Sequence, residues 1–397
     1  MVKVILKKGR DESLRRFHPW VFSGAIAQIV GNPAEGDVVG VFAADGSYLA
    51  SGHYQIGSIA VRILSFDGDV HSPDFWKTMI GRAYALREAA GLAHATSTNC
   101  YRLVHGEGDN LPGLIIDYYD GVCVLQAHSV GMFRAKKQIC EALVAVYGNG
   151  LKAVYDKSSG TAPFKAGLDL VDGYLYRRPD FSDDEQLVLE NGHKFLVNWT
   201  EGQKTGFFLD QRENRDLVGK YAAGRRVLNL FCYTGGFSIY ALGAGATHVD
   251  SVDSSRKAMD MVDKNVALNG FDSECHTSYC ADAIDFLKEA PEDRYDLMIV
   301  DPPAFAKHRG ALSNALRAYQ RLNAAAIAKV APGGFIFTFS CSQVVDKEAF
   351  ALAVFSAAAQ TGRSVRILAR LTQPADHAVN IYHPEGEYLK GLLLYVE

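Results

Sequence analysis

The sequence contains no apolar run approaching the about 18 residues that a membrane-spanning helix needs. The apolar stretch in Met1-Val2-Lys3-Val4-Ile5-Leu6-Lys7-Lys8 is too short for a secretory signal. Neither export nor membrane insertion is therefore expected, and the expected location is cytoplasmic. Cysteine is sparse: Cys100, Cys123, Cys140, Cys232, Cys275, Cys280 and Cys341 are odd in number and include no CxxC pair. That argues against a disulfide scaffold or a cysteine-built zinc site and fits reduced thiols, so no metal is expected. A large charge of one sign is lacking too. With a net charge of −4, any contact with nucleic acid must be local rather than a property of the whole surface. No internal repeat or low-complexity segment occurs.

What is present is enough apolar material for real cores, 48% of 397 residues, and enough length for two or three domains. Three regions differ in rhythm, and they set expected domains of 1–70, 71–190 and 191–397. In the first, Val38 to Phe42 and Tyr48 to His53 flank the turn dipeptide Asp45-Gly46, and Ile59 to Phe66 supplies a further strand. A small β-rich barrel is expected. In the second, Ser72-Pro73-Asp74 opens a helix whose apolar residues Phe75, Trp76, Met79, Ile80, Ala83 and Tyr84 keep helical spacing. Strands at Tyr101 to Val104, Leu114 to Tyr118 and Val122 to Gln126, then a helix from Met132 to Tyr147, make this region α+β. A hairpin around Asn191-Gly192 follows. From about residue 211, short apolar runs (Val227 to Phe231, His248 to Asp253, Leu297 to Asp301, Gly334 to Ser340) alternate with helical segments. That alternation predicts an α/β, doubly wound sheet binding ligands at the carboxyl ends of its strands.

One local basic cluster stands out. Lys3, Lys7, Lys8, Arg10, Arg15 and Arg16 crowd the amino-terminal stretch, offset by Asp11 and Glu12. Lys7, Lys8, Arg15 and Arg16 are candidates for nucleic-acid phosphate contacts; the plain alternative is a solvated face at a flexible terminus.

The chemistry-bearing residues fall at the ends of the expected strands. The run Val227 to Phe231 enters Cys232-Tyr233-Thr234-Gly235-Gly236, a glycine turn that lets backbone approach a ligand closely. Asp253 ends the next strand, where an acid can accept from ribose hydroxyls, and Asp282 follows the third, where it could accept from an adenine amino group. Each acid taken alone is more often a helix cap; in register they point to an adenosyl nucleoside. The fourth strand ends in Asp301-Pro302-Pro303-Ala304-Phe305, whose prolines fix where Asp301 points. The fifth ends in Ser340-Cys341-Ser342. A lone cysteine is commonly an inert core residue, but this one sits where functional residues gather.

Together, Gln203-Lys204-Thr205-Gly206-Phe207-Phe208-Leu209-Asp210-Gln211-Arg212, Phe231-Cys232-Tyr233-Thr234-Gly235-Gly236-Phe237, Asp301-Pro302-Pro303 and Thr338-Phe339-Ser340-Cys341-Ser342 resemble class I RNA methyltransferases. The resemblance is strongest to bacterial enzymes that methylate cytosine at carbon-5 in 23S ribosomal RNA, and it covers the whole chain. His18-Pro19-Trp20-Val21-Phe22-Ser23-Gly24-Ala25 is similar to their N-terminal PUA domain, an RNA-binding barrel, and the tail Tyr382-His383-Pro384-Glu385-Gly386-Glu387-Tyr388-Leu389-Lys390-Gly391 is similar as well. The resemblance implies S-adenosylmethionine as cofactor, held by Leu209, Gln211, Arg212, Phe231, Tyr233, Thr234, Gly235, Asp253, Asp282 and Asp301. It implies 23S ribosomal RNA as partner and leaves the oligomeric state open, a homodimer included. It also implies catalysis by Cys341 and Asp301. Carbon-5 of cytosine is a poor nucleophile until a thiolate adds at carbon-6, so Cys341 would add there while Asp301 hydrogen-bonds the ring nitrogen and amino group. The base must also be single-stranded or flipped out to be reached.

The sequence departs from the general pattern at four positions. Asn229 replaces the usual acid of the first motif, and Phe231 and Tyr233 stand where glycine is common, which breaks the GxGxxG dinucleotide fingerprint. Ala304 stands where two-cysteine cytosine methyltransferases carry their second cysteine, leaving Cys341 as nucleophile. An exocyclic amino methyltransferase acting on a purine of RNA is the main alternative, because Asp-Pro-Pro-x-Phe resembles loops that hold planar amines. A nicotinamide dehydrogenase and a non-catalytic RNA-binding protein are the others.

Overall fold

The computed structural model of the protein describes residues 2–163, 167–306 and 308–397. The chain forms two compact units. One comprises Met1–Val188, Val197–Leu209 and Ala375–Gly386; the other comprises Leu189–Leu196, Asp210–Pro374 and Glu387–Glu397. Among the described residues no helix is long and apolar enough to cross a membrane.

The first unit carries two sheets. A six-stranded sheet runs in the order Trp20–Phe22, Ile59–Ser65, Tyr48–Tyr54, Val38–Phe42, Val2–Leu6, Ile26–Val30. The amino terminus is not a flexible tail but a strand inside this sheet. Val2–Leu6 pairs parallel with Val38–Phe42 and antiparallel with Ile26–Val30. The alternation of a strand sends Val4 and Leu6 into the core and leaves Lys3 and Lys7 outside. Five residues interrupted by a lysine are too short a pattern to announce this.

The second sheet runs Gly173–Arg177, Ala153–Asp156, Val122–Ala127, Leu114–Tyr119, Cys100–His105, with helices Phe75–Ala89 and Val130–Tyr147 sharing its core. The first of these helices starts two residues later than Ser72 as its cap suggests, and its actual cap, Asp74, makes no side-chain cap bond. Both sheets belong to one unit because polar and close-packed contacts join them. Trp20 Nε1 and Arg62 Nη1 donate to Glu107 Oε1 at 2.8 and 3.3 Å, and a Cβ on Gly131 would lie 2.2 Å from the His53 ring. One group in this unit, His18, His383 and Glu385, brings three potential ligand atoms within 4.8 Å of one another.

The second unit is built on a seven-stranded sheet: β1 (Arg226–Leu230), β2 (His248–Asp253), β3 (His276–Cys280), β4 (Tyr295–Val300), β5 (Val330–Ser340), β6 (Val365–Leu371) and β7 (Lys390–Val396). Their order is β3-β2-β1-β4-β5-β7-β6. The first five strands are mutually parallel, as the alternating rhythm predicts, while β7 runs antiparallel to both β5 and β6. That last hairpin-like excursion closes the sheet with two strands the rhythm does not reveal. Helices α1 (Arg212–Ala222), α2 (Gly236–Gly243), α3 (Arg256–Leu268), α4 (Ala283–Glu289), α5 (Leu312–Lys329) and α6 (Lys347–Thr361) separate the strands. Strand order reverses between β1 and β4, the switch point at which an open α/β sheet forms a crevice at its carboxyl edge. Gly391 permits the tight β5–β7 approach, since a Cβ there would meet the Phe339 ring at 2.6 Å.

Candidate active site

The turn after β1 has an unusual backbone. Phe231, Tyr233 and Gly235 all have left-handed φ, of 58°, 47° and 82°. Such a conformation costs a non-glycine residue about 1–3 kcal/mol and persists only where surrounding contacts impose it. Here they do. Tyr233 N donates to Asp253 Oδ2 at 3.0 Å, Cys232 N to the Val252 carbonyl at 3.1 Å, and the wholly buried Asn265 donates through Nδ2 to the Thr234 carbonyl at 3.0 Å. At Gly235 a Cβ would lie 3.1 Å from Val262. The turn's N–H groups are thus largely used within the protein, Gly235 N likewise donating to the Cys232 carbonyl at 2.8 Å. Phe231 and Tyr233 thus adopt the backbone conformation that glycine takes easily, without being glycine.

The two acids after β2 and β3 are placed differently. Asp253 ends β2 and is part-buried; its Oδ1 accepts from Ser255 N at 2.9 Å while Oδ2 holds the turn. Asp282 is exposed and caps α4, its Oδ1 accepting from Ile284 N and Asp285 N at 2.9 and 3.0 Å. Asp282 therefore fills the capping role, whereas α3 is capped by Ser255, which accepts from Ala258 N, and Asp253 fixes the chain just ahead of that cap. Asn229 faces away from that edge into a buried polar chain: its Nδ2 donates to Ser238 Oγ at 2.8 Å, Ser238 pairs with Ser251 at 2.7 Å, and Ser251 with His276 Nε2 at 2.8 Å.

Around the start of α1 the structure separates the sequence-predicted group. Leu209 and Gln211 lie in a short 3-10 turn and are buried. Gln211 Nε2 donates to Asp301 Oδ2 at 2.9 Å, and its own Oε1 accepts from Asn214 at 2.6 Å. Arg212 is instead drawn to Glu190, 3.5 Å away, which also takes a bidentate pair of bonds from Arg215, both at 2.7 Å, and one from the Tyr240 hydroxyl at 3.0 Å. Glu190 is wholly buried, and the arginines compensate a carboxylate that could not otherwise be desolvated.

Asp301 and Cys341 end adjacent strands, β4 and β5, and their loops are joined: Ala306 N donates to Ser342 Oγ at 3.3 Å. The Asp301 carboxyl is pushed up to about 7, first by burial and then by the charge of Asp210, against the hydrogen bond from Gln211. Asp210 in turn accepts from the Tyr388 hydroxyl at 2.7 Å. Cys341 is partly exposed and in no disulfide. Its neighbours Ser340 and Ser342 are wholly buried and clamped by Tyr319, whose hydroxyl oxygen lies 2.9 and 3.0 Å from their Oγ atoms. Lys390, at the start of β7 opposite Ser340, donates from Nζ to the carbonyls of Ser342 and Tyr388, both at 2.6 Å. Burial pushes this lysine down to about 8. Sequence reasoning gave no individual role to Asp210, Tyr319, Tyr388 or Lys390, although Asp210, Tyr388 and Lys390 lie within motifs that carry the resemblance.

The four basic candidates lie in the first unit. Lys7, Lys8, Arg15 and Arg16 are all exposed, but Lys7 Nζ donates to the Gly24 carbonyl at 2.9 Å, and Arg15 and Arg16 pair with Asp11 and Glu12 one helical turn back.

A sheet of this order, with a strained turn after its first strand and acids along its carboxyl edge, defines a Rossmann-like methyltransferase. The chain belongs to the S-adenosylmethionine-dependent methyltransferase family: residues 176–393 match its model, and residues 4–66 match that of a PUA-like domain. Over 397 residues it is 39% identical to the ribosomal RNA large subunit methyltransferase I of Aeromonas hydrophila, covering 98% of both chains. It is 40% identical over 401 residues to the protein of the same name from Photobacterium profundum, covering 99% of both. In fold it is similar to a proposed methyltransferase from Streptococcus mutans, with a TM-score of 0.84, 24% identity and full coverage of both chains. It is equally similar to a methyltransferase structure solved with S-adenosylhomocysteine, with a TM-score of 0.85 and 24% identity. S-adenosylmethionine is the cofactor, and the turn after β1, with the part-buried carboxylate of Asp253 at the end of β2, stands at the switch point where such a sheet forms its crevice.

Proposed function

We propose that the chain methylates carbon-5 of a cytosine in the 23S RNA of the large ribosomal subunit, with Cys341 as nucleophile and Asp301 as its partner on the base. The observation that carries this reading is the joined pair of strand ends: a partly exposed cysteine after β5 whose loop is hydrogen-bonded to the Asp301 loop after β4. The names of its relatives, ribosomal RNA large subunit methyltransferases, supply the RNA. Bound there, S-adenosylmethionine supplies an electrophilic methyl group.

Cys341, having lost its proton to solvent, adds its sulfur to carbon-6 of the cytosine, and the carbon-5/carbon-6 π electrons become available at carbon-5. Asp301, titrating near neutrality, carries a proton for part of the time and can share it with the ring nitrogen as negative charge develops there. Its hydrogen bond from Gln211 fixes which oxygen faces the protein. After methyl transfer, loss of the carbon-5 proton and expulsion of the Cys341 thiolate restore the aromatic ring. Asp253 is assigned to the ribose, Asp282 to the adenine, and the turn with Thr234, together with Leu209, Gln211 and Arg212, to the rest of the cofactor. Lys7, Lys8, Arg15 and Arg16 on the PUA-like part are assigned to RNA phosphates.

The test separates this reading from methylation of an exocyclic amine, which the Asp301-Pro302-Pro303-Ala304-Phe305 loop also favours. Cys341→Ala abolishes turnover while the protein still folds and binds cofactor. Wild-type enzyme traps covalently on RNA carrying 5-fluorocytosine at the target, because fluorine at carbon-5 blocks the elimination. An active alanine variant would transfer the assignment to the amino methyltransferase.

A further inference from the structure

We propose that Lys390 is a positioning residue for the nucleophile: its ammonium group is the counter-charge that holds Cys341 as a thiolate. The inference rests on the reading of Cys341 as the nucleophile, but its test does not.

An ammonium group has three donors. In Lys390, which is 5% exposed, two of them go to the carbonyls of Ser342 and Tyr388, each at 2.6 Å. Ser342 is the residue after Cys341, so the charge is anchored one peptide away from the sulfur. Register places it there firmly, because Lys390 pairs with Ser340 at the end of β5 and β7. The lysine has no ion pair with a carboxylate among the described residues; its two acceptors are neutral carbonyls. Burying an ammonium without a charged partner is expensive, and β7 is otherwise apolar. The charges acting on Lys390 are, in descending order, Cys341, Asp346 and Glu387. Asp346 is occupied as the cap of α6 and Glu387 is paired with Lys347 at 2.5 Å. Tyr319, whose hydroxyl also feels the charge of Cys341, is raised chiefly by burial and so stays protonated. A thiolate at Cys341 is thus the partner that would offset the buried cation, and the attraction is mutual: the ammonium favours the thiolate, and the thiolate favours the ammonium.

A thiol is activated this way elsewhere in protein chemistry, by a cation close to the sulfur. A purely mechanical role, in which Lys390 only ties two carbonyls together, leaves the thiol's titration unchanged.

The experiment reads that titration directly. The rate at which iodoacetamide alkylates Cys341 is followed against pH in the full-length protein by peptide mass spectrometry, with the partly exposed Cys275 and Cys280 as internal references. Lys390→Met moves the Cys341 midpoint up by about one pH unit, an about tenfold slower reaction at pH 7; Lys390→Arg restores it, and the two references do not move. If Lys390→Met proves poorly folded, the reciprocal measurement serves: Cys341→Ser lowers the midpoint for acetylation of Lys390 by acetic anhydride. An unshifted midpoint in either experiment overturns the proposal. Neither uses RNA or methyl donor, so failure here is distinct from an active Cys341→Ala enzyme, which counts against the nucleophile itself.

Discussion

Gln211 donates its side-chain amide to Asp301 at 2.9 Å, so the carboxyl at the end of β4 is oriented by a residue ninety positions earlier in the chain. The bond favours the charged carboxylate, but burial and the charge of Asp210 outweigh it.

The sign of the resulting pH dependence is fixed. A carboxyl whose folded value, about 7, lies above its unfolded value weakens the fold where it is ionised. Asp301→Asn is therefore expected to melt at a higher temperature than wild type at pH 8. Its advantage shrinks as pH falls below 7 and is mostly gone at about pH 4, where the unfolded carboxyl is itself about half protonated. Thermal melts at pH 4, 6 and 8 check this; a constant difference across the range contradicts it. The same variant loses methyl transfer.

Asp253 holds the turn as well as standing where a ribose would lie. Asp253→Ala is expected to weaken S-adenosylmethionine binding by about 1–3 kcal/mol, and also to lower the melting temperature without ligand, because Tyr233 N and Ser255 N lose their acceptor. Calorimetric affinity and an unliganded melt separate the two effects. Unchanged affinity removes Asp253 from the cofactor site.

Glu190 is wholly buried under two arginines and a tyrosine. Glu190→Ala strands those guanidinium groups and is expected to cost about 3–5 kcal/mol of stability, measured by urea unfolding. A loss below about 1 kcal/mol would mean that water replaces the carboxylate.

Charge reversal of Lys7, Lys8, Arg15 and Arg16 is expected to weaken RNA binding and to flatten its dependence on salt, each lost phosphate contact removing about 0.7 from the slope for single strands. Cofactor affinity stays the same. Because Arg15 and Arg16 already pair with Asp11 and Glu12, Lys7 and Lys8 should carry more of the effect. An unchanged slope makes the segment a solvated face.

Much of the second unit was legible in the chain. Four of the five parallel strands lie on the short runs expected of them, and Asp253, Asp301 and Cys341 stand at the ends of those runs; β3, His276–Cys280, is polar at three of its five positions. Strands β6 and β7 were not legible, since Val365–Leu371 and Lys390–Val396 lie outside the alternating rhythm and are held only by pairing with each other and with β5. The same is true of Val2–Leu6, whose place in its sheet depends on a parallel partner more than thirty residues away.

What the sequence determined by itself is therefore the set of local choices: which runs are apolar, where turns carry glycine or proline, and which reactive side chains close a strand. These depend on neighbours a few residues apart, and the spacing of side chains records them. Only the tertiary structure decided how those side chains are tuned. The value of about 7 at Asp301 comes from burial and from Asp210. The engagement of Arg212 comes from Glu190, and the cation beside Cys341 arrives from β7, some fifty residues later. Desolvation and through-space charge act over distance and not along the chain, so no local pattern carries them.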